Sequence, residues 1–460
     1  MLEKIWIYHT NDIHSHFEYW PRIHSFFTSE KMKLKGQMFL FDIGDHVDRF
    51  HPFTEGTLGQ GNVELLNEAG YQGVTIGNNE GITLPHDGLD QLYRKANFPC
   101  ILANLYKKDG TRPHWALPWR LYETPGGTKL GVVGLTVDFS NFYNPLDWMI
   151  TDPFAELARI LPNLRRNCDI VVVLSHLGLS DDERIAELYP EVDIILGAHT
   201  HHILEKGALV RNSLLCGAGK YGQYIGKVEI HYDREKREIL SKRAELIATE
   251  DLPEEPEEKE ITLKLFATGK ELLMKPVAYL EKDMPGDSFE ETELSRLLCS
   301  ALTEWCKADC AFLNAGVLLD GLKAGIVTEF DVHQICPHPI NPMVVFLRGQ
   351  ELKEVLAANM NDPFAGLEVR GFGFRGKIFG KIIYDRIEVI GKGSGMEVQI
   401  GGDALDPDRI YRVATLDMFA IARFYPTILR SEKQFYLPEF LRDLLKWKLA
   451  EKYPLNEMKE

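Results

Sequence analysis

The sequence predicts an α/β protein of two domains, and three observations carry that prediction. Five short apolar runs in the first half each end at a polar or glycine cluster, helical patterns lie between them, and an acidic, proline-bearing stretch after residue 250 divides the chain. Residues 5–8 end at His9-Thr10-Asn11-Asp12, residues 38–41 at Asp42-Ile43-Gly44-Asp45, and residues 74–76 at Gly77-Asn78. Residues 170–174 then end at Ser175-His176, and residues 192–196 at Gly197-Ala198-His199. Continuous apolar runs bounded in this way read as strands buried on both faces. Residues 62–69 and 154–165 carry the helical period, and residues 129–136 read as one more core strand without a ligand. Ligands of parallel sheets gather at the carboxyl ends of strands, so five strand ends are expected to converge on one site.

Residues 251–260 (Asp-Leu-Pro-Glu-Glu-Pro-Glu-Glu-Lys-Glu) cannot form a core and precede a helical pattern over 261–273. The expected domains are therefore 1–252, an acidic linker and helix over 253–276, and a second α+β domain over 277–460. That second part mixes helices and strands, with turns at Asn314-Ala315-Gly316, Lys392-Gly393-Ser394-Gly395 and Gly401-Gly402-Asp403. It holds no second metal-like cluster, so its expected role is substrate contact.

Composition narrows the partners. A net charge of -16 repels nucleic-acid backbones and suits divalent cations, so a small-molecule partner is expected and nucleic acid is not. No run of about 18 apolar residues occurs to span a membrane. Met1-Leu2-Glu3-Lys4 leads straight into a strand-length apolar run, unlike a secretory leader, and a cytoplasmic location is expected. Seven cysteines, spread without tight pairing, read as reduced buried thiols. Cys306 and Cys310 are expected to share a helix face at i, i+4, but two further zinc ligands are missing.

The polar clusters themselves point to metal chemistry. Two divalent ions about 3.5 to 4 Å apart can share a carboxylate and a hydroxide, acidify that water and clamp phosphoryl oxygens. Asp45 is placed to be the shared carboxylate. In extended chain, i, i+2 spacing would point Asp12 and His14 one way, and His199 and His201 likewise. Asn78 offers a neutral oxygen and His176 a nitrogen. Such a donor set suits manganese, zinc, iron or cobalt.

Thr10-Asn11-Asp12-Ile13-His14-Ser15-His16 and Gly197-Ala198-His199-Thr200-His201 resemble the signatures of the calcineurin-like metallophosphoesterases, in the branch of 5'-nucleotidases and 2',3'-cyclic-nucleotide phosphodiesterases. The resemblance extends over nearly the whole chain. In the second half it rests on Asn314-Ala315-Gly316, Leu347-Arg348-Gly349-Gln350-Glu351-Leu352 and Tyr411-Arg412-Val413-Ala414-Thr415. It implies an N-terminal metallophosphoesterase sandwich, a C-terminal α+β substrate domain of the 5'-nucleotidase kind, and metal-dependent hydrolysis of nucleotide-related phosphate esters. It further implies Asp12, His14, Asp45 and His201 around one ion, and Asp45, Asn78, His176 and His199 around the other.

Three departures stand out. The histidine that would protonate the leaving oxygen is replaced by Asn79, and the aspartate that would orient it by Ile82. An expected phosphate-binding arginine is replaced within Val317-Leu318-Leu319. The base-stacking segments become His338-Pro339-Ile340-Asn341 and Ala422-Arg423-Phe424-Tyr425-Pro426. The candidate catalytic residues are thus Asp45, Asn79 and His46, with Arg49, His51 and His86 as further loop groups. Asn314, Asn341, Phe424 and Tyr425 are the candidate substrate contacts. Without a strong acid, anhydrides and cyclic phosphodiesters become alternative substrates, and a nucleotide-binding or sensing protein is the alternative class.

Overall fold

The computed structural model describes residues 1–360, 362–371, 373–391, 396–421 and 424–455. The turn expected at 392–395, and Ala422-Arg423 of the late segment, lie outside the described residues. The chain divides into two compact units, Met1–Gly269 and Lys270–Glu460.

In the first unit the apolar runs become strands of two sheets. One runs, edge to edge, through Glu238–Ala248, Tyr224–Asp233, Leu2–Thr10, Met38–Asp42, Gly73–Val74, Cys100–Ile101 and Ala116–Leu117. The other runs through Ala208–Val210, Ser213–Cys216, Ile194–Gly197, Ile170–His176, Lys129–Thr136 and Trp119–Glu123. From Leu2–Thr10 to Ala116–Leu117 the pairing is parallel, as it is from Ser213–Cys216 to Lys129–Thr136. Alternation along each strand decides what each face meets. Ile5, Ile7, Phe39, Phe41, Val172, Leu174, Ile194 and Leu196 form a core shared by the two sheets. Val133, Val171, Val173 and Ile195 point the other way, onto Leu157, Ile160, Leu161 and Leu164 of the helix Pro153–Asn167. That helix starts because Pro153 stands at its first turn and the Asp152 side chain accepts the Ala155 N–H at 2.8 Å.

Gly134 shows how closely the elements approach. A Cβ there would lie 1.8 Å from the Ile101 carbonyl oxygen, while the Gly134 carbonyl already accepts the Ala103 N–H at 2.8 Å. Backbone cannot yield as a side chain does. Gly134→Ala is expected to lower the unfolding free energy by about 3 kcal/mol, measured by urea denaturation.

Residues Pro253 to Glu257 carry no regular structure, and the helix Glu258–Leu272 follows. Arg22 holds its start by pairing with Glu258 at 2.6 Å. In the second unit a five-stranded sheet runs through Ile382–Asp385, Cys310–Asn314, Ile410–Leu416, Pro342–Arg348 and Lys433–Phe435. The helix Glu293–Trp305 buries Leu294, Leu297, Leu298, Ala301 and Leu302 in that unit's core, and the Thr292 hydroxyl accepts the Ser295 N–H at its start.

The helix ends at Trp305, which corrects the expectation for Cys306 and Cys310. Lys307 takes a left-handed φ of 49° and its N–H bonds the Glu304 carbonyl, so Cys310 opens a strand and shares no helix face with Cys306. All seven cysteines are free and buried. No helix among the described residues is long and apolar enough to cross a membrane.

Candidate metal centre

The loops that follow the strands bring the charged residues of the first unit together, by a route different from the expected one. Asp12 and His14 do not lie in extended chain. The strand ends at Thr10, and Asp12 (φ 52°), His14 (φ 50°), Asp45 (φ 52°), His199 (φ 72°) and His201 (φ 54°) all adopt left-handed backbone. Each such residue costs free energy, and clusters of them are found where the surrounding structure holds a functional geometry. Here the restraint is visible. The N–H groups of Asp12, His14 and Ser15 donate to the carbonyls of Gly44, Asp45 and His46 at 3.0, 2.7 and 3.0 Å, which locks the first loop to the second.

The functional atoms converge in two groups, Asp12–His14–His201 and Asp12–Asp45–His176. Asp45 Oδ2 lies 3.7 Å from His14 Nε2 and 3.5 Å from His176 Nε2. Asp12 Oδ1 lies 3.5 Å from His201 Nε2, 3.9 Å from His14 Nε2 and 4.0 Å from His176 Nε2. His199 Nδ1 faces Asn78 Oδ1 at 3.0 Å. Gly77 makes the approach possible, since a Cβ there would sit 2.1 Å from Asp45 Oδ1 and 2.5 Å from the His176 ring.

Neighbouring groups orient these donors. Asp48 Oδ2 meets His14 Nδ1 at 3.1 Å, and the Ile43 carbonyl accepts from His176 Nδ1 at 2.7 Å, leaving each Nε2 turned toward the carboxylates. The Glu80 carboxylate accepts the N–H groups of Asp45, Val47 and Gly77 at 2.9, 2.8 and 2.8 Å and so clamps the Asp45 loop to the start of the helix Asn78–Thr83. Sequence reading did not single out Asp48, and nothing in its spacing marks it.

The electrostatics of the cluster favour positive charge beside the carboxylates. Asp12 and Asp45 are buried together. Burial alone would lower His176, yet the Asp45 and Asp12 carboxylates push it up to about 10. Asp45 itself is held far below the usual carboxylate range: burial opposes this, and His176, His14 and the Asn79 N–H outweigh it. The His176 Nε2 atom is fully buried and makes no hydrogen bond. Two carboxylates, imidazole nitrogens aimed at them and the Asn78 oxygen form a donor set that fits divalent ions.

Asn79 has turned inward. Its backbone N–H and its side-chain Nδ2 donate to the two oxygens of Asp45, each at 2.7 Å. The amide fixes the plane of the Asp45 carboxylate, and an amide N–H is too weak an acid to be transferred at neutral pH. His46, expected as a substitute acid, is corrected by its surroundings. It is 2% exposed, packs edge-on against Trp20 at 5.0 Å, meets Asn62 through Nδ1 at 3.2 Å, and burial lowers it to about 3, which keeps it neutral. The other loop groups also have structural tasks. Arg49 pairs with Glu55 and the Thr83 carbonyl, His51 accepts the Phe53 N–H, and His86 stacks on Trp148 at 4.2 Å.

The candidate substrate residues of the second unit are mostly core. Asn314 is fully buried and donates to the Phe379 carbonyl at 2.7 Å. Tyr425 is corrected from a base platform to a core residue: it is 1% exposed, donates to Asn359 Oδ1 at 2.6 Å and packs on Phe312, Phe364 and Phe419. Phe424, half-buried, packs on Phe364, Phe379 and Phe419. Asn341 is buried, with its N–H on Asp417 Oδ2 at 3.0 Å.

Burial pushes Asp417 up to about 7 against the N–H bonds of Asn341 and Met418. Because its folded pKa exceeds the ordinary value of 3.8, its contribution to stability is fully present below about pH 4 and is lost as pH rises through 7. Asp417→Asn is expected to flatten the fall in melting temperature between pH 5 and pH 8.

Both units resemble known proteins. The calcineurin-like phosphoesterase family matches residues 5–202, and the 5'-nucleotidase C-terminal domain matches residues 276–422. The chain is 43% identical to an uncharacterized metallophosphoesterase of Bacillus subtilis, YunD, across 98% of this chain and 100% of that protein. It is 24% identical to the protein UshA of Yersinia enterocolitica, across 91% of this chain and 85% of that one. Among solved structures, a candidate 5'-nucleotidase from Staphylococcus aureus superposes with a TM-score of 0.71 at 19% identity, covering 99% of this chain and 98% of that one. The NAD nucleotidase of Haemophilus influenzae superposes with a TM-score of 0.64 at 16% identity, covering 98% and 97%.

Proposed function

Since the chain belongs to the calcineurin-like phosphoesterases that carry a 5'-nucleotidase C-terminal domain, we propose that it hydrolyses nucleotide-related phosphate compounds whose leaving groups need no proton from the enzyme. Phosphate-ester hydrolysis is the activity of the family, and calcineurin-like phosphoesterases use a dinuclear divalent metal centre. The observation that carries the finer reading is the pair of 2.7 Å bonds from Asn79 to Asp45: where the sequence leads one to expect the acid stands an amide turned onto a carboxylate.

Asp12, His14, Asp45 and His201 would hold one ion, and Asp45, Asn78, His176 and His199 the other. Bound there, the ions would acidify a shared water and neutralise phosphoryl oxygens. The protein's own part is to fix the donors: Asp48 and Ile43 set the imidazole rings, Glu80 holds the Asp45 loop, and Asn79 sets the Asp45 plane. No residue among these supplies a leaving-group proton. Phosphoanhydrides and aryl esters, whose leaving groups are weak bases, fit such a site better than alkyl monoesters. A cytoplasmic location belongs to the same proposal, supported by seven unpaired buried cysteines.

Protein stripped by a chelator and reloaded with manganese is expected to cleave aryl phosphates, nucleoside diphosphates and dinucleotide pyrophosphates faster than alkyl monoesters. Metal-independent rates, or no turnover of any of these, would overturn the proposal.

A further inference from the structure

A loop bonded to the backbone of Asp12 carries a cation that the candidate centre does not use. Lys220 and Tyr221 lie in the loop between the strands Ser213–Cys216 and Tyr224–Asp233. Tyr221 takes a φ of 60°, which is costly for a bulky side chain, and its N–H is tied to the Asp12 carbonyl at 2.8 Å. This places its ring edge-on to His14 at 5.9 Å and over His16 at 3.9 Å, with Phe50 beyond His16 at 5.1 Å. The Lys220 Nζ sits 4.4 Å from the centre of the Tyr221 ring. Lys220 and Tyr221 are both half-buried, and Lys220 forms no ion pair among the described residues. In a chain of net charge -16, this ammonium is held by an aromatic face where carboxylates are plentiful.

An ammonium with no ion pair among the described residues, set against the ring of a tyrosine whose N–H is bonded to the Asp12 carbonyl, is ready to receive an anion brought by substrate. We propose that Lys220 is a specificity-determining residue that contacts the phosphoryl group next to the scissile one, so that phosphoanhydrides such as nucleoside diphosphates are preferred over monoesters. This rests on the hydrolytic reading above. Water adds to the scissile phosphorus, the bridging P–O bond breaks, and its electron pair leaves with the departing phosphate while the proton of the water passes to solvent. Asn79 supplies no proton to that leaving group; the Lys220 charge would meet the negative charge that develops on it.

The test compares unmodified, Lys220→Met and Lys220→Arg full-length proteins, each loaded with manganese. Methionine keeps the hydrocarbon packing on Tyr221 and removes the charge. Calorimetry with methylenebisphosphonate, a diphosphate that cannot be hydrolysed, and with inorganic phosphate gives a ratio of affinities. Lys220→Met is expected to lower the preference for the bisphosphonate about ten-fold, and Lys220→Arg to restore most of it. The KM ratio of a nucleoside diphosphate to the matching monophosphate should move in step. An affinity ratio equal in all three proteins, or failure of arginine to restore it, overturns the role of Lys220 whatever the turnover. No turnover of any ester by the unmodified protein, with the affinity ratio still lowered by Lys220→Met and restored by Lys220→Arg, would instead overturn the hydrolytic reading.

Discussion

Asp45→Ala is expected to reduce phosphate-ester hydrolysis by at least about 10³-fold and to lower metal content from near two divalent ions per chain. The expectation follows from position. One oxygen of this carboxylate stands 3.7 Å from His14 Nε2 and 3.5 Å from His176 Nε2, one histidine of each group, so the substitution removes a carboxylate that lies between the two. The fold should survive, because the loop is held by other bonds: the Asp45 N–H to Glu80 and the His14 N–H to the Asp45 carbonyl. In chelator, a melting temperature near that of the unmodified protein would separate loss of metal from loss of structure. Full activity of Asp45→Ala would remove this residue from the centre.

Much of this arrangement was legible in the sequence, and the reason is periodicity. Short apolar runs bounded by glycine or polar residues read as strands buried on both faces, and the polar residue that ends each run then lies at a strand end. Strand Lys129–Thr136 and helix Pro153–Asn167 were visible on those grounds. The backbone of the ligand loops was not. Asp12, His14, Asp45, His199 and His201 are left-handed, and no propensity of Asp or His announces five such residues in one site. Nor could adjacency to Asp45 reveal the direction of His46, which Trp20 and Asn62 enclose. Aromatic residues near a binding segment are ambiguous for the same reason: Tyr425 reads more readily as core than as platform, but only its hydroxyl on Asn359 decides between them.

Asn79 carries the second large effect. Asn79→Ala removes the side-chain donor from Asp45 Oδ2 while keeping the backbone one, so metal affinity is expected to fall about ten-fold, as for lost outer contacts of metal ligands. Its dependence on leaving-group basicity should not change, because no proton donor has been lost. Asn79→His introduces an imidazole where the acid is expected, but Ile82 offers nothing to orient it. Combined with Ile82→Asp, it is expected to raise alkyl-ester turnover relative to aryl-ester turnover by about 10², the lower range of acid catalysis. A variant series in which Asn79→Ala alone selectively abolished alkyl-ester cleavage would mean that the amide, through a water, already serves the leaving group.

The most direct test of the account is the rate of hydrolysis across a series of aryl and alkyl phosphates of graded leaving-group pKa, measured on the manganese-loaded, unmodified protein. A site whose central carboxylate is oriented by Asn79, and which offers the leaving oxygen no proton, predicts a steep fall in kcat/KM as leaving-group pKa rises. A flat dependence would contradict it, because some residue of the centre would then be protonating the departing oxygen.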